Sequence, residues 1–237
     1  GINAHRMAEQ IRDMQGYVVK IDLSRPPGRV QTVRLELGAV LIDALSELKK
    51  ELYIKLPSND ILIRPQTLQT DEYFRMKSVD GNFTLRLDAV SPATGFTPPS
   101  NLSLVAPVTE FRIGPAATGR SFASLVRPIR VDFAVQNLTS YMAGEIGTYL
   151  YDSRERSWVE QKTVTDYANG RVSGEMTKPG ALAAATRNAA PVGSVPRDVA
   201  DSLKAIQAVY RLNSLENKNF RHTDPVVQED IIKLLLD

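Results

Sequence analysis

The sequence predicts an α+β fold dominated by strands, with one or more β-sandwich-like modules, short helices and a small helical segment at the C-terminal end. Apolar and polar residues alternate in short runs from residue 17 to about residue 187, which is typical of half-buried strands. The dipeptide Asn169-Gly170 separates two such runs and favours a tight hairpin. Beyond residue 196 the apolar period becomes helical, with Val199, Leu203 and Ile206 on one face.

The first half of the chain is expected to combine helices with strands. Apolar residues at helical spacing predict helices over residues 3–14 and 38–50. Val33, Leu35 and Leu37 share one face of a run whose other face is polar, so this run is a half-buried strand. The predicted strands of this half are 17–23, 30–37, 52–56, 60–64 and 82–90, and the pattern over 73–77 gives no assignment.

The second half is expected to be richer in strands. Strands are predicted over residues 105–113 and 127–135, and hairpins between residues 146 and 182. Trp158, the only tryptophan, is expected to anchor one of these hairpins against a second sheet. Residues 92–101, rich in Pro, Gly, Ser and Thr, are a loop or an internal boundary. Residues 181–190 are a low-complexity alanine stretch, and residues 191–196 are a linker.

These patterns divide the chain into three segments. Residues 1–100 are expected to form a first β-rich half with helices. Residues 101–190 are expected to form a second β-rich half that packs with the first as one unit. Residues 191–237 form a separate helical segment.

The composition excludes several functional classes. The 237 residues include 29 basic and 27 acidic residues mixed along the chain, so no electrostatic footprint for nucleic acid is expected. The chain has no cysteine, which excludes disulfides, thiolate metal sites and cysteine nucleophiles. No apolar run approaches the roughly 20 residues of a membrane-spanning helix. No motif points to a cofactor or to a metal site.

Two groups of segments resemble surface-layer and related cell-wall proteins of Gram-positive bacteria. The first group is a short helix followed by a hairpin, at residues 39–45, 51–57 and 60–65. The second group closes the β-sandwich-like module of such proteins, at residues 148–152, 157–159 and 170–175. The order and spacing of both groups are similar here over roughly residues 17–187. The resemblance implies a secreted protein of the cell surface or cell wall, with a signal peptide removed upstream of Gly1.

The tail resembles a degenerate S-layer homology motif, which implies attachment to cell-wall polysaccharide. The resemblance is carried by residues 198–199, 205–206, 209–212, 220–221 and 224–230. At residues 226–230 the chain has Val-Val-Gln-Glu-Asp, where the family carries a signature of the Ile-Thr-Arg-Ala-Glu kind.

We therefore expect a non-enzymatic structural or adhesive module whose partners are neighbouring surface-protein subunits or cell-wall polysaccharide. A second hypothesis is a cell-wall carbohydrate-binding module in which Tyr149, Tyr151 and Trp158 stack on sugar rings. Aromatic residues on a sheet also form cross-strand pairs, and this alternative explains the same residues without a ligand.

A third hypothesis, an enzyme of the glycoside hydrolase type, needs two carboxyl groups that face each other across a cleft. Polar positions on a half-exposed sheet explain the available carboxylates without catalysis. The candidates in or beside predicted strands are Glu110, Asp132, Glu145, Asp152 and Glu160. The two histidines, His5 and His222, are far apart in sequence and are expected to face solvent or to cap helices.

Overall fold

The computed structural model describes residues 4–25, 30–141 and 145–187, with side chains from residue 8 onward. The chain divides into two units, Gly1–Arg187 and Asn188–Asp237, and all described residues belong to the first. The linker and the helical tail predicted from residue 191 onward, the S-layer homology-like segments and His222 lie outside the described residues, as does the side chain of His5.

The described residues form three α-helices and thirteen strands. The helices are α1 Ala4–Asp13, α2 Ala39–Glu47 and α3 Asp71–Val79. The strands are β1 Val18–Asp22, β2 Thr32–Gly38, β3 Glu51–Lys55, β4 Asn59–Ile63, β5 Thr84–Val90, β6 Leu102–Leu104, β7 Thr109–Pro115, β8 Ile129–Ala134, β9 Ile146–Asp152, β10 Ser157–Gln161, β11 Thr163–Asp166, β12 Arg171–Met176 and β13 Gly180–Arg187.

The strands make two sheets. Sheet I has six strands in the order β1-β3-β4-β8-β12-β11, and sheet II has seven, in the order β10-β9-β13-β7-β5-β2 with β6 also paired to β13. The pair β1–β3 is parallel, and the other pairs are antiparallel. Both sheets therefore mix strands from before and after residue 100.

The inner faces of the two sheets meet in one apolar core. The inward positions of the central strands are mostly apolar, so the strand period of two separates the core face from the outer face. Leu85 and Leu87 of sheet II and Ile54, Val131 and Phe133 of sheet I are at most 1% exposed. Burying such a side chain contributes about 1.5–3 kcal/mol. The strand-dominated, β-sandwich-like fold predicted from alternation is confirmed.

One side of the sandwich is closed by the chain segment β10–β11. A single residue separates these strands, so the chain leaves the edge of sheet II and joins the edge of sheet I directly. At this corner the amide of Thr148 donates to Thr163 Oγ1 at 2.8 Å. A Cβ on Gly174 would lie 2.5 Å from Thr148 Oγ1, so glycine is needed for the sheets to approach this closely.

The helices stabilise other parts of the sandwich. Helix α2 follows β2 and ends in a Schellman motif, because Lys49 is left-handed (φ 52°) and the amide of Lys50 donates to Leu45 O at 2.9 Å. The buried ammonium of Lys50 donates to Ile11 O at 2.9 Å and also to Met14 O. These carbonyls belong to the C-terminal end of α1, where a cation is favoured by the helix dipole.

Three details differ from the sequence-based expectations. The alanine stretch is not merely low-complexity sequence, because its described part is strand β13 in the middle of sheet II. The strand expected from residue 105 begins at Thr109, after the short strand β6. Trp158 does not anchor its hairpin against the second sheet, since its neighbours are Tyr151 and the loop of residues 91–101.

Candidate functional site

The aromatic residues singled out in the sequence lie on the outer face of sheet II. Tyr151 and Trp158 are opposite each other in the β9–β10 register, and their ring centres are 5.4 Å apart at 65°. Phe96, from the loop of residues 91–101, meets Tyr151 edge to face at 5.2 Å. Trp158 Nε1 donates to the backbone oxygen of Thr97 at 3.2 Å. We call Phe96, Tyr151 and Trp158 the aromatic cluster; it fastens this loop to the sheet.

Tyr149 has a different environment from the other two predicted binding residues. It is 4% exposed, and its hydroxyl accepts a hydrogen bond from Arg187 Nε at 3.1 Å. Arg187 also forms an ion pair with Glu160. A Cβ on Gly147 would lie 2.9 Å from the Tyr149 hydroxyl, so the ring lies directly over a glycine. The ring of Tyr149 is therefore enclosed by protein.

The predicted stacking face is thus divided between a buried ring and two half-buried ones. Tyr151 and Trp158 contact each other across the strands, as the cross-strand alternative requires. Sugar binding by the exposed parts of these two rings stays a prediction, because no ligand contact tests it.

A second arrangement, which the sequence did not reveal, lies on the outer face of sheet I. Asp60 of β4 is directly opposite Asp132 of β8, and we call these two residues the carboxylate pair. Asp60 accepts a hydrogen bond from the Tyr53 hydroxyl at 2.5 Å and forms an ion pair with Arg171. Asp132 accepts from Arg130 Nε at 2.6 Å. Each carboxylate therefore has its own arginine, which offsets the repulsion between two neighbouring negative charges.

The ionisation of the surrounding groups follows from these contacts. Burial, and then the hydrogen bond to Asp60 and its negative charge, raise the pKa of Tyr53 to about 12. Burial alone would lower the pKa of Arg171, but its hydrogen bond and ion pair with Asp60 outweigh that effect and raise it. At neutral pH Tyr53 is therefore protonated and Arg171 is charged.

The carboxylates proposed as catalytic candidates are spread over the surface of the sandwich. Glu110 accepts from Arg112 at 2.8 Å, and Asp152 from Lys178 at 2.9 Å. Glu160 is paired with Arg187, and Asp132 belongs to the carboxylate pair. Glu145 immediately precedes β9. The structure does not bring these five residues together into one site.

A second carboxylate network lies on the outer face of sheet II, on strands distant from the aromatic cluster. Asp88 of β5 accepts from Arg34 of β2 at 2.9 Å and from Arg86 of its own strand at 3.0 Å. The side chain of Asp88 is 6% exposed, since the two guanidinium groups cover it. The sequence shows Asp88 as a charged residue at an outward position of an alternating strand. It does not show that Arg34 is its partner, because that depends on β2 lying beside β5 in the sheet.

A small cleft lies between the two sheets, beside the turn that joins β3 to β4. Asn59 Nδ2 donates to Thr109 Oγ1 at 2.6 Å and so bridges the sheets. Asn59 Oδ1 and Ser91 Oγ both belong to residues of this cleft, and within the described residues neither atom has a protein partner. The space is about 10 Å³, close to the size of one water molecule.

The described residues also bear on metal sites and on membrane-spanning helices. In these ranges no group of three or more His, Asp or Glu side chains is placed to hold a metal ion. Over the same residues, the structure has no helix with the length and apolar character that crossing a bilayer requires. No protein-family model matches the chain, and no curated protein matches it either.

Proposed function

We propose that this chain is a non-enzymatic structural or adhesive module of a secreted bacterial cell-surface protein of the S-layer type. The observation that carries the proposal is the pattern of free sheet edges. In the described part of the chain, sheet I ends in β1 and β11, sheet II ends in β2 and β10, and the short strand β6 pairs with β13 alone. Edge strands present unpaired backbone amides and carbonyls, which is how sheet proteins add a further strand from a neighbour.

The outer faces suit a scaffold that is held rigid by its own contacts. On sheet I the carboxylate pair is bound by arginines, and on sheet II the aromatic cluster is bound to a loop. Side chains committed to such internal contacts stabilise the shape of the module. Neighbouring subunits then bind at the edge strands of the two sheets.

The remaining parts of the proposal come from the resemblance to surface-layer proteins. Partners are neighbouring subunits of the same surface array and cell-wall polysaccharide, and the tail beyond residue 191 supplies attachment to the wall. The location is extracellular, at the cell surface.

Co-sedimentation with purified Gram-positive cell walls, together with analytical ultracentrifugation at rising protein concentration, tests this function. We expect the full chain to be retained by the walls, or its mean mass to rise with concentration. A chain that stays in the supernatant and stays monomeric at every concentration would contradict the proposal.

A further inference from the structure

We infer that strand β2 is a self-complementary edge through which two copies of this chain pair, antiparallel, about a two-fold axis at Leu35. Pairing of this kind would join the two copies of sheet II into one continuous sheet. The inference rests on the proposed function, because it names the edge and the partner that lateral association uses.

The hydrogen bonds of β2 show which of its backbone groups face the free edge. The amide of Ser91 donates to Gln31 O at 2.8 Å, and the amide of Ala39 donates to Phe83 O at 2.9 Å. Both bonds continue the β2–β5 register, in which Leu35 is opposite Leu87. In an antiparallel pair, alternate residues direct both backbone groups to the same partner strand. The residues bonded to β5 are therefore Val33, Leu35 and Leu37, whereas those facing the free edge are Thr32, Arg34, Glu36 and Gly38.

The side chains of β2 match those of a second antiparallel copy in one register. With Leu35 opposite Leu35 of the second copy, Arg34 is opposite Glu36 in both directions, and Val33 is opposite Leu37. Arg34 and Glu36 are exposed, and both project from the outer face of sheet II. Opposite charges placed directly across two strands stabilise the pairing.

The ion pair between Arg34 and Asp88 leaves this arrangement intact. The pair uses Nε of Arg34, at 2.9 Å from Asp88 Oδ1. A guanidinium has five N–H donors, so the same side chain can also donate to Glu36 of the second copy. On the inner face, Val33 and Leu35 are only partly buried in the single chain, and a second copy would cover more of their apolar surface.

Among the other described edge strands, β1 repeats the charge pattern over a shorter stretch. An axis at Ile21 would set Lys20 opposite Asp22, but only residues 20–22 of β1 would then pair within the strand, and Asp22 already accepts hydrogen bonds from the amide and the hydroxyl of Ser24. The short strand β6, Leu102–Leu104, carries no charge. In β10, Glu160 is already paired with Arg187, and Trp158 belongs to the aromatic cluster. Strand β11 carries Asp166 as its only charge, so a second copy would bring no cation to it. Charge complementarity over the whole length of the strand therefore favours β2.

A single introduced cysteine tests the register, because the chain has none of its own. In the inferred dimer the two Leu35 residues form a non-hydrogen-bonded pair, with Cα atoms about 4.5 Å apart. A disulfide bridges Cα atoms about 4.4–6.8 Å apart, so L35C is expected to cross-link under mild oxidation. The matched control is T32C on the same strand. In the inferred register position 32 of each copy lies opposite Gly38 of the second copy, so the two introduced cysteines are six positions, or roughly 20 Å, apart along the strands. We expect at least tenfold more dimer from L35C than from T32C on a non-reducing gel.

A second variant keeps the inference testable if L35C folds poorly. E36P removes a backbone donor from the free edge without removing a bond to β5, because proline is tolerated on edge strands where the N–H faces solvent. We expect it to weaken dimerisation at least tenfold in sedimentation experiments while its thermal unfolding stays cooperative. The matched control E36A, which keeps the amide, is expected to dimerise more strongly than E36P.

The outcomes separate this inference from the proposed function. Equal cross-linking by L35C and T32C, or equal dimerisation of E36P and E36A, would overturn pairing through β2. If the unmodified chain still self-associates or binds cell walls in that case, the proposed function stands and another edge is responsible. If it does neither, both the inference and the proposed function fail.

Discussion

The side chains on the outer face of sheet I and those at the β9–β10 end of sheet II are stabilised by different kinds of contact. On sheet I, the carboxylate pair of Asp60 and Asp132 is neutralised by the ion pairs with Arg171 and Arg130. On sheet II, Trp158 and its neighbours are apolar, and the loop of residues 91–101 lies against them. An apolar outer face needs a cover, whereas a charged face needs counter-charges. The comparison shows why one long loop of this protein is fixed to the sheet.

Removing the tryptophan is expected to have the largest effect. W158A deletes the ring that contacts Tyr151 and the donor to Thr97, so we expect the free energy of unfolding to fall by about 3 kcal/mol. Urea denaturation measures this loss, and limited proteolysis is expected to cut within residues 91–101. The control W158F keeps a ring but loses the N–H, and it should retain most of the stability. A proteolysis pattern that is unchanged in W158A would show that the aromatic cluster does not hold the loop.

Removing the charge of Asp60 is expected to come next. D60N leaves Arg171 without its carboxylate, and the side chain of Asp60 is only 4% exposed, so we expect a loss of about 2 kcal/mol. The matched control on the same face is E175Q, because Glu175 and Arg64 are both about one-third exposed and 3.8 Å apart. That exposed pair is expected to contribute about 0.5 kcal/mol. Equal losses in the two variants would contradict the importance of burial on this face.

Replacing an alanine by the larger valine should destabilise the outer face of sheet II more than the outer face of sheet I. Ala183 on the outer face of sheet II is 2% exposed, whereas Ala134 on the outer face of sheet I is exposed. A183V has no space for two extra carbons beneath Tyr149 and the loop, so we expect a loss of about 1–2 kcal/mol. A134V should change stability by less than about 0.5 kcal/mol. Thermal or urea unfolding of both variants checks this, and a neutral A183V would mean that this face is not closely packed.

The smallest effect is expected at alkaline pH on the charged face. Because the pKa of Tyr53 is raised from its ordinary value of 10.0 to about 12, its contribution to stability is present below pH 10 and is lost as the pH rises to about 12. Y53F removes this contribution. The difference in unfolding free energy between wild type and Y53F should therefore shrink over that range. A difference that stays constant from pH 9 to pH 12 would contradict the raised pKa of Tyr53, which burial and then the hydrogen bond to Asp60 produce.

Much of the fold could be predicted from the sequence because alternation is a local signal. Val33, Leu35 and Leu37 marked the inner face of β2, and Asn169-Gly170 marked the turn between β11 and β12. Strand β13 was missed because alanine has low strand propensity, and its burial between β9, β7 and β6 outweighs that propensity. Helix α3 did have a signal, since Thr70 caps it by accepting a hydrogen bond from the amide of Tyr73 at 3.2 Å.

The contacts of the candidate sites could not be predicted in the same way. Trp158 was identified, but its hydrogen bond to Thr97 joins segments about 60 residues apart, and local patterns do not encode it. The carboxylate pair depends on β4 and β8 being neighbours in sheet I, which is a property of strand order. Side chains on one strand could therefore be assigned to a face, but their partners on other strands could not.

Amide hydrogen exchange at rising protein concentration tests most directly the claim that this protein acts through its sheet edges. The amides of Thr32, Arg34 and Glu36 face the free edge of β2 in a single chain, so they should exchange fast when the protein is dilute. The account predicts that their exchange slows as concentration increases, while the amides of Leu35 and Leu37, already bonded to β5, remain protected throughout. Edge amides whose exchange is the same at low and high concentration would contradict it.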